Sequence, residues 1–414
     1  SESRGPAEPT TRNIDPDTDV QAPNWDGGVE TYDLVHHDTP DTGSEALPPR
    51  VGVKKKKKKK LVDPDAGEWA SRRVVYEKNI VPTGRPWLLW VFAACLIPLA
   101  IDVLGPSTPL EERIAKAIAE NPDLGDRLEQ LPETSDDPLG TLLLAFPDHR
   151  LPGAAFPRDT SWHYLLAAIS AVGFLGLILA AWPDEEVRPR FLVGMGLLTG
   201  TVGIALLLGF QLVAEVTQHF NLRGGGVVAL LFYIVKFIGF SYRCAIDSSI
   251  GFGLSLMGFT LGVGLCEELC KAVPVVLYLY SDQRHTWRGA TVVGFASGIG
   301  FGVSEGVSYS AEMYNGVVSP ITYAVRFLSC VALHSIWAGI VALLMYGGET
   351  NMGEIEWDDV LTFIVKYLGI AMVLHGLYDV LLKFDHELFA LGIAVASFVW
   401  LLSLIHRQQV AEQT

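Results

Sequence analysis

Gly264-Leu265-Cys266-Glu267-Glu268-Leu269-Cys270-Lys271 lies in the middle of an apolar run from about 251 to 280. A run of that length can span a bilayer, for which ~20 residues suffice. Two adjacent carboxylates inside it are costly. On insertion scales an acidic residue at the centre of a membrane helix costs roughly 2.5 to 3.5 kcal/mol. Such groups must face other helices or a water-filled cavity. The other polar residues embedded in apolar sequence, Glu305, His334, His375 and Asp379, are therefore predicted to gather around the pair.

The chain has 414 residues, 50% of them hydrophobic, and several further stretches approach or exceed the length of a span. The pattern predicts an all-α, polytopic transmembrane helix bundle of about eight to nine spans. The net charge of −15 lies mostly outside the spans and gives no support for nucleic-acid binding. The five cysteines, Cys95, Cys244, Cys266, Cys270 and Cys330, lie in or beside apolar segments and read as small buried hydrophobes.

Residues 1 to about 50 are rich in Pro, Asp, Thr and Gly and read as a disordered tail. The unbroken lysine run Lys54 to Lys60 reads as solvated. Its alternative is an anchor on anionic lipid, worth about 1 kcal/mol per lysine near the surface. Arg72, Arg73, Lys78 and Arg85 flank the first span, which argues for a cytoplasmic N-terminus. That span is expected at about 86–104.

An acidic, non-cytoplasmic loop follows at about 105–161. It opens with Thr108-Pro109-Leu110-Glu111, a capping-box pattern in which Thr108 caps and Pro109 takes the first helical position. The helix should run to about Glu120. Further spans are expected at about 162–182, 191–214, 226–242, 251–280, 290–310, 321–346, 361–383 and 388–406. Lys236 in the fourth is placed to snorkel or to pair inside the bundle. Nine crossings would leave the C-terminus outside. They would also place Arg284 and Arg288 on the outer face, against the usual charge bias.

Two small-residue stripes accompany the acids. Gly258, Gly262, Cys266 and Cys270 recur every four residues on the fifth helix, and Gly294, Gly298, Gly302 and Gly306 do so on the sixth. Such stripes let helices approach closely and bring the carboxylates near one another. Crowded carboxylates in a low dielectric cannot all carry charge, so one can act as a base and another as an acid. Lys271, four residues after Glu267, is placed to neutralise one glutamate. His375 and Asp379 stand one helical turn apart, where the acid can orient the imidazole.

Four motifs in order carry a family resemblance. Glu267-Glu268-Leu269-Cys270-Lys271 resembles the EExxK motif of the PrsW family of intramembrane proteases. Phe301-Gly302-Val303-Ser304-Glu305 resembles its FxxxE motif. His334-Ser335-Ile336-Trp337 is similar to its third motif, and His375-Gly376-Leu377-Tyr378-Asp379 to its HGxYD motif. The resemblance covers about 251–383 and implies a membrane-embedded endopeptidase related to the CAAX prenyl endopeptidases. That wider group commonly carries His where this chain has Glu305.

By the resemblance, Glu267 is the general base on an attacking water. Glu268 and Glu305 position that water or manage protons. His375, supported by Asp379, stabilises the oxyanion or protonates the leaving amine, and His334 joins the catalytic set. The implied organisation is a tail over 1–85, N-terminal helices over 86–250, a PrsW-like catalytic membrane core over 251–406 and a short tail over 407–414. The implied partner is a transmembrane or membrane-anchored protein substrate in the lipid bilayer of the cell membrane.

No Ser-His or Cys-His nucleophile pattern stands out, and the apolar flanks of Cys266 and Cys270 disfavour a thiolate. The HExxH zinc signature is absent, yet Glu and His ligands from several helices could assemble a zinc site. No cofactor is favoured, and zinc is the rival. A proton-coupled transporter or channel, which also uses buried acids and histidines, is the competing function.

Overall fold

A computed structural model describes residues 84–106, 108–131, 137–158, 160–183, 187–281, 285–347 and 361–413. The tail with its lysine run, the basic residues Arg72, Arg73 and Lys78, and Arg284 lie outside them. The described residues form helices and connecting turns, with no strand among them. In chain order the helices are α1 (Pro86–Leu104), α2 (Leu110–Glu120), α3 (Asp123–Glu129), α4 (Pro138–Leu144), α5 (Trp162–Ala181), α6 (Pro189–Gln218) and α7 (Val227–Ile246). They continue with α8 (252–279), α9 (Trp287–Tyr314), α10 (Pro320–Gly347), α11 (Leu361–Lys383) and α12 (Glu387–Gln413).

Eight of these are long and apolar enough to cross a membrane: α1, α5, α6, α7, α9, α10, α11 and α12. α8, which carries Glu267, Glu268 and Lys271, is not among them. Burial orders the bundle. In α9 and α10, 72% and 83% of the apolar window is buried, against 22–39% in α1, α5, α6, α7, α11 and α12. A helix apolar on all sides belongs inside the protein or in lipid, and α9 and α10 form the inner pair.

The α9 glycines explain how that pair comes together. A Cβ on Gly294 would lie 2.6 Å from the Ala338 carbonyl oxygen, and one on Gly302 would lie 2.9 Å from His334 Cδ2. The stripe is therefore the face on which α10 rests. On α8, Gly262 faces α7, where a Cβ would meet the Tyr242 nitrogen at 2.6 Å, and Cys270 Sγ reaches the Gly203 carbonyl on α6 at 3.6 Å.

One end of the bundle is tied by aromatic and ionic contacts. Arg85 donates its backbone N–H to Ala181, and the rings of Trp182 and Trp287 meet edge to face at 5.7 Å. Trp287 Nε1 donates to Glu412 at 2.6 Å, and Arg288 pairs with the same carboxylate. The start of α1, the end of α5, the start of α9 and the end of α12 thus share this end. The start of α6 joins them, since Arg188 and Pro189 line one small cavity with Trp182 and Val292.

The opposite end carries α2–α4, packed around Ala117, Leu124, Leu143, Phe146 and Leu151. Leu151 N–H donates to the Gly316 carbonyl at 2.8 Å, Ala155 N–H to Val318 at 2.9 Å, and Arg113 to Val317 at 2.9 Å. Gly316 has φ +78°, a left-handed turn that glycine adopts without strain. Lys383 closes this end, donating to the Asp247 carbonyl at 2.6 Å and to Ser255 at 2.8 Å.

The eight candidate spans agree with the expected eight to nine, and these ties show which ends of the helices lie together. α6 leaves the tryptophan end and runs about 45 Å at 1.5 Å per residue. α8 starts beside Lys383, at the opposite end. α7 ends at the same place, since Lys383 also binds the Asp247 carbonyl, and the described chain enters and leaves the bundle at the tryptophan end. Arg288 lies there with Arg85 and Arg188, so its charge no longer conflicts with its side.

Two local expectations also change. α2 begins at Leu110, with Pro109 at the N-cap in extended geometry (ψ 150°) and no side-chain cap bond, so Thr108 does not close a capping box. Its end at Glu120 is as expected. Lys236 turns to the preceding loop rather than to an acid in the bundle. It donates to the Phe220 carbonyl at 2.7 Å and to Asn221 at 3.0 Å.

Candidate active site

Four helices deliver the site. α8 contributes Glu267, Glu268 and Lys271, α9 Glu305, α10 Arg326 and His334, and α11 His375 and Asp379. Short π-helical turns precede three of these groups: Phe259–Gly264 before Glu267, Val325–Cys330 around Arg326 and before His334, and Ile364–Leu368 before His375. A π turn carries an extra residue and rotates the helix face beyond it, and such turns recur at functional sites.

All six sequence-predicted site residues meet in one cluster. His375 approaches Glu268 Oε1 at 3.2 Å through Nδ1. Its Nε2 lies 3.6 Å from Glu267 Oε2 and 3.4 Å from Asp379 Oδ2. Trp337 stacks on the His375 ring, with centroids 4.6 Å apart and planes 25° apart. His334 Nε2 meets Glu305 Oε2 at 2.7 Å, and its Nδ1 meets Lys271 Nζ at 3.0 Å.

The two adjacent glutamates occupy different environments. Glu268 is fully buried and pairs with Lys271 Nζ at 2.7 Å. Glu267 lies farther from that ammonium, at 3.5 Å, and the Oε2 atoms of both glutamates are buried without a hydrogen bond among the described residues. Lysine neutralises the neighbour three residues back more closely than the one four back, which the i,i+4 spacing alone does not reveal. Lys271 also sits 4.7 Å from the centre of the Phe301 ring, a cation–π contact that helps hold a buried charge. From α9, the Ser297 hydroxyl donates to the Lys271 carbonyl at 2.7 Å and ties the two helices at this level.

The cluster is most open beside Glu305 and Asp379, whose side chains are 19% and 24% exposed while those of Glu267 and His375 are 10% and 5% exposed. Water or substrate would reach the acids from that side. Arg326 is a member of the cluster that the motifs do not single out. It lies against Glu305 Oε1 at 2.8 Å and over the Tyr309 ring at 3.8 Å. The available signal is an arginine a few residues inside an apolar run.

Glu267, His334 and His375 each offer one ligand atom, and the three atoms lie within 4.8 Å of one another. A carboxylate and two imidazoles are donor types that zinc accepts, and Glu267 Oε2, buried without a hydrogen bond, is an open acceptor. The donor set fits a divalent ion in kind. His334 is its most constrained member, because Lys271 and Glu305 engage both ring nitrogens.

A bundle of membrane-length helices that buries carboxylates, imidazoles and an ammonium at its centre defines a membrane-embedded polar site of a kind that hydrolases and proton-coupled transporters share. The sequence from 188 to 405, just over half of the chain, matches the PrsW family intramembrane metalloprotease description. The chain belongs to that family and is a multi-pass intramembrane protease acting on membrane proteins in the bilayer. The match begins at the start of α6, upstream of the four motifs, and membership selects proteolysis over transport. No curated protein and no solved structure matches the chain.

Proposed function

We propose that the chain hydrolyses peptide bonds of transmembrane or membrane-anchored proteins with Glu267 as the general base. The observation that carries this reading is the asymmetry of the glutamate pair. Each keeps one buried oxygen without a hydrogen bond, but Glu268 Oε1 is held by Lys271 at 2.7 Å and His375 at 3.2 Å, whereas Glu267 Oε2 lies 3.5 Å from Lys271 and 3.6 Å from His375 Nε2. A water in that space gives its proton to Glu267 and its oxygen to the scissile carbonyl carbon. The oxyanion accepts a hydrogen bond from the Nε2–H of His375. The carbon–nitrogen bond then breaks as the amine takes the proton from Glu267. Asp379, Glu268 and the Trp337 ring hold the His375 imidazole in place for both steps.

Glu305 supports the site from behind, with one oxygen on Arg326 and the other on His334. This reading makes His334 a positioning residue. We further propose that the chain lies in the cell membrane with the tryptophan end in the cytoplasm, because Arg85, Arg188, Arg190 and Arg288 flank that end.

A metal-dependent variant is supported by the ligand triad. Glu267, His334 and His375 would hold the ion, which when bound would lower the pKa of a water and polarise the carbonyl. The metal-free reading is preferred because Lys271 already brings a positive charge within 3.0 Å of His334 and 3.5 Å of Glu267. A second cation among the same donors would be repelled.

The test is N-terminal peptide profiling of membranes from cells carrying wild type or Glu267→Gln at matched abundance. New termini within or near spans, present only with wild type, are expected. Wild-type cleavage termini that persist in Glu267→Gln would remove Glu267 as the base. Dialysis of the purified protein against a chelator, with metal content measured before and after, separates the mechanisms. Cleavage should persist at full rate, and its loss with restoration by zinc would establish the metal-dependent variant.

A further inference from the structure

We infer that Arg326 is a positioning residue of the hydrolytic site, which clamps Glu305 so that Glu305 and Lys271 together fix the tautomer and orientation of His334. The inference rests on the proposed hydrolysis for its purpose, but its first test does not depend on hydrolysis.

Arg326 is buried on the first turns of α10, where an unpaired guanidinium would be very costly. Two contacts hold it. Its Nη2 lies 2.8 Å from Glu305 Oε1, and its guanidinium carbon sits 3.8 Å over the Tyr309 ring. Both partners are on α9, four residues apart and hence on one face. Arg326 thereby fixes one oxygen of Glu305 and leaves Oε2 pointing at His334 Nε2, 2.7 Å away.

The far side of His334 removes the remaining ambiguity. Lys271 Nζ lies 3.0 Å from Nδ1, and an ammonium has donors only. Nδ1 must therefore accept, and Nε2 must carry the proton that it donates to Glu305. The same ammonium holds Glu268 at 2.7 Å. A continuous line of charge and hydrogen bonds thus runs Arg326, Glu305, His334, Lys271, Glu268, His375. Its residues come from α8, α9, α10 and α11, so it also fixes the helices against one another around Glu267.

Without Arg326, Glu305 would lose the partner that sets its carboxylate plane. It could turn, and His334 could exchange tautomers and loosen Lys271. The effect on hydrolysis would be indirect, through the position of Glu268 and His375. Losing an outer-shell partner of this kind commonly reduces activity on the order of 10- to 100-fold.

The first test is nitrogen NMR of histidine-labelled full-length protein in lipid bilayers, with the His334 signals assigned by their loss in His334→Gln. Wild type should show a protonated Nε2 and an unprotonated Nδ1. Arg326→Gln should give mixed tautomers, and Arg326→Lys should restore the wild-type pair. Wild-type signals in Arg326→Gln would overturn the inference. If Arg326→Gln does not accumulate as folded protein, the double variant Arg326→Gln/Glu305→Gln removes the charge left unpaired and is compared with Glu305→Gln alone. A larger share of the second tautomer in the double variant supports the clamp, and equal shares overturn it.

The second test uses a single-span reporter bearing a cut site found in the wild-type profile. Arg326→Gln should lower kcat on the order of 10- to 100-fold with KM unchanged. An unchanged kcat would overturn the positioning role. If wild type cuts nothing, proteolysis by this route fails, and the nitrogen signals still decide the role of Arg326.

Discussion

Glu267 and Glu268 are neighbours in sequence and serve different purposes because Lys271 reaches one more closely than the other. Glu268 is fully buried and its Oε1 lies 2.7 Å from the ammonium. Removing one member of a buried ion pair leaves the other charge uncompensated, at a cost of about 3 to 5 kcal/mol. Lys271→Met is therefore expected to destabilise the protein by about that amount, and Lys271→Met/Glu268→Gln should recover most of it. Thermal unfolding of the purified variants in detergent measures both, and equal losses in the two would show that the pair does not carry the effect. The need for partners is legible in the sequence, since intramembrane acids must find them. Which acid Lys271 favours is not, because residues three and four apart share a helix face and only side-chain geometry separates them. Arg326 is hidden differently: it falls six residues after Pro320, where a span boundary drawn from hydropathy reads it as interfacial.

At the level of helices, the glycine stripe of α9 sets how closely Glu305 approaches His334. A Cβ on Gly302 would lie 2.9 Å from His334 Cδ2 and 3.0 Å from Val331 Cα, so even alanine must push α10 or the ring away. A shift on the order of 1 Å in a catalytic arrangement can cost about 100-fold in rate. Gly302→Ala should thus lower cleavage of the reporter by up to about that factor. Gly176→Ala on α5, where a Cβ would meet nothing within 4 Å, should leave it unchanged. Equal activity in the two variants would show that close approach at Gly302 is dispensable. The four-residue spacing makes this stripe legible in the sequence. The π turns upstream of Glu267, His334 and His375 are not legible there, since no residue pattern distinguishes one extra residue in a turn from a shifted boundary. The start of α2 escapes the capping-box pattern because Thr-Pro-Leu-Glu also permits Pro109 to remain outside the helix, as its extended ψ shows.

Across the whole molecule, hydropathy finds apolar helices but does not count crossings. α7 is among the helices apolar enough to cross, whereas α8 is not, although it runs through the bundle with the buried charges of Glu267, Glu268 and Lys271. The end of α12 shares the end of the bundle where α1 starts, because Glu412 binds Trp287 and Arg288 there and Arg85 meets Ala181. Both flanks of the described bundle then face one side and α2–α4 face the other. The arginines at the shared end argue that this side is cytoplasmic. In a variant with the five native cysteines replaced, Lys116→Cys on α2 should react with a membrane-impermeant maleimide added to intact cells. Arg407→Cys near the end of α12 should react only after permeabilisation. Labelling of both from outside would contradict the cap on the opposite face, and labelling of Arg407→Cys alone would invert the proposed orientation. The result also bears on substrate entry. The acids are most exposed beside Asp379 on α11 and beside Glu305, on the part of α9 that leads to Gly316 and α2–α4. If the cap is external, the scissile bond approaches from the outer half of the membrane, and cut sites should cluster in the half of each substrate span nearest that face.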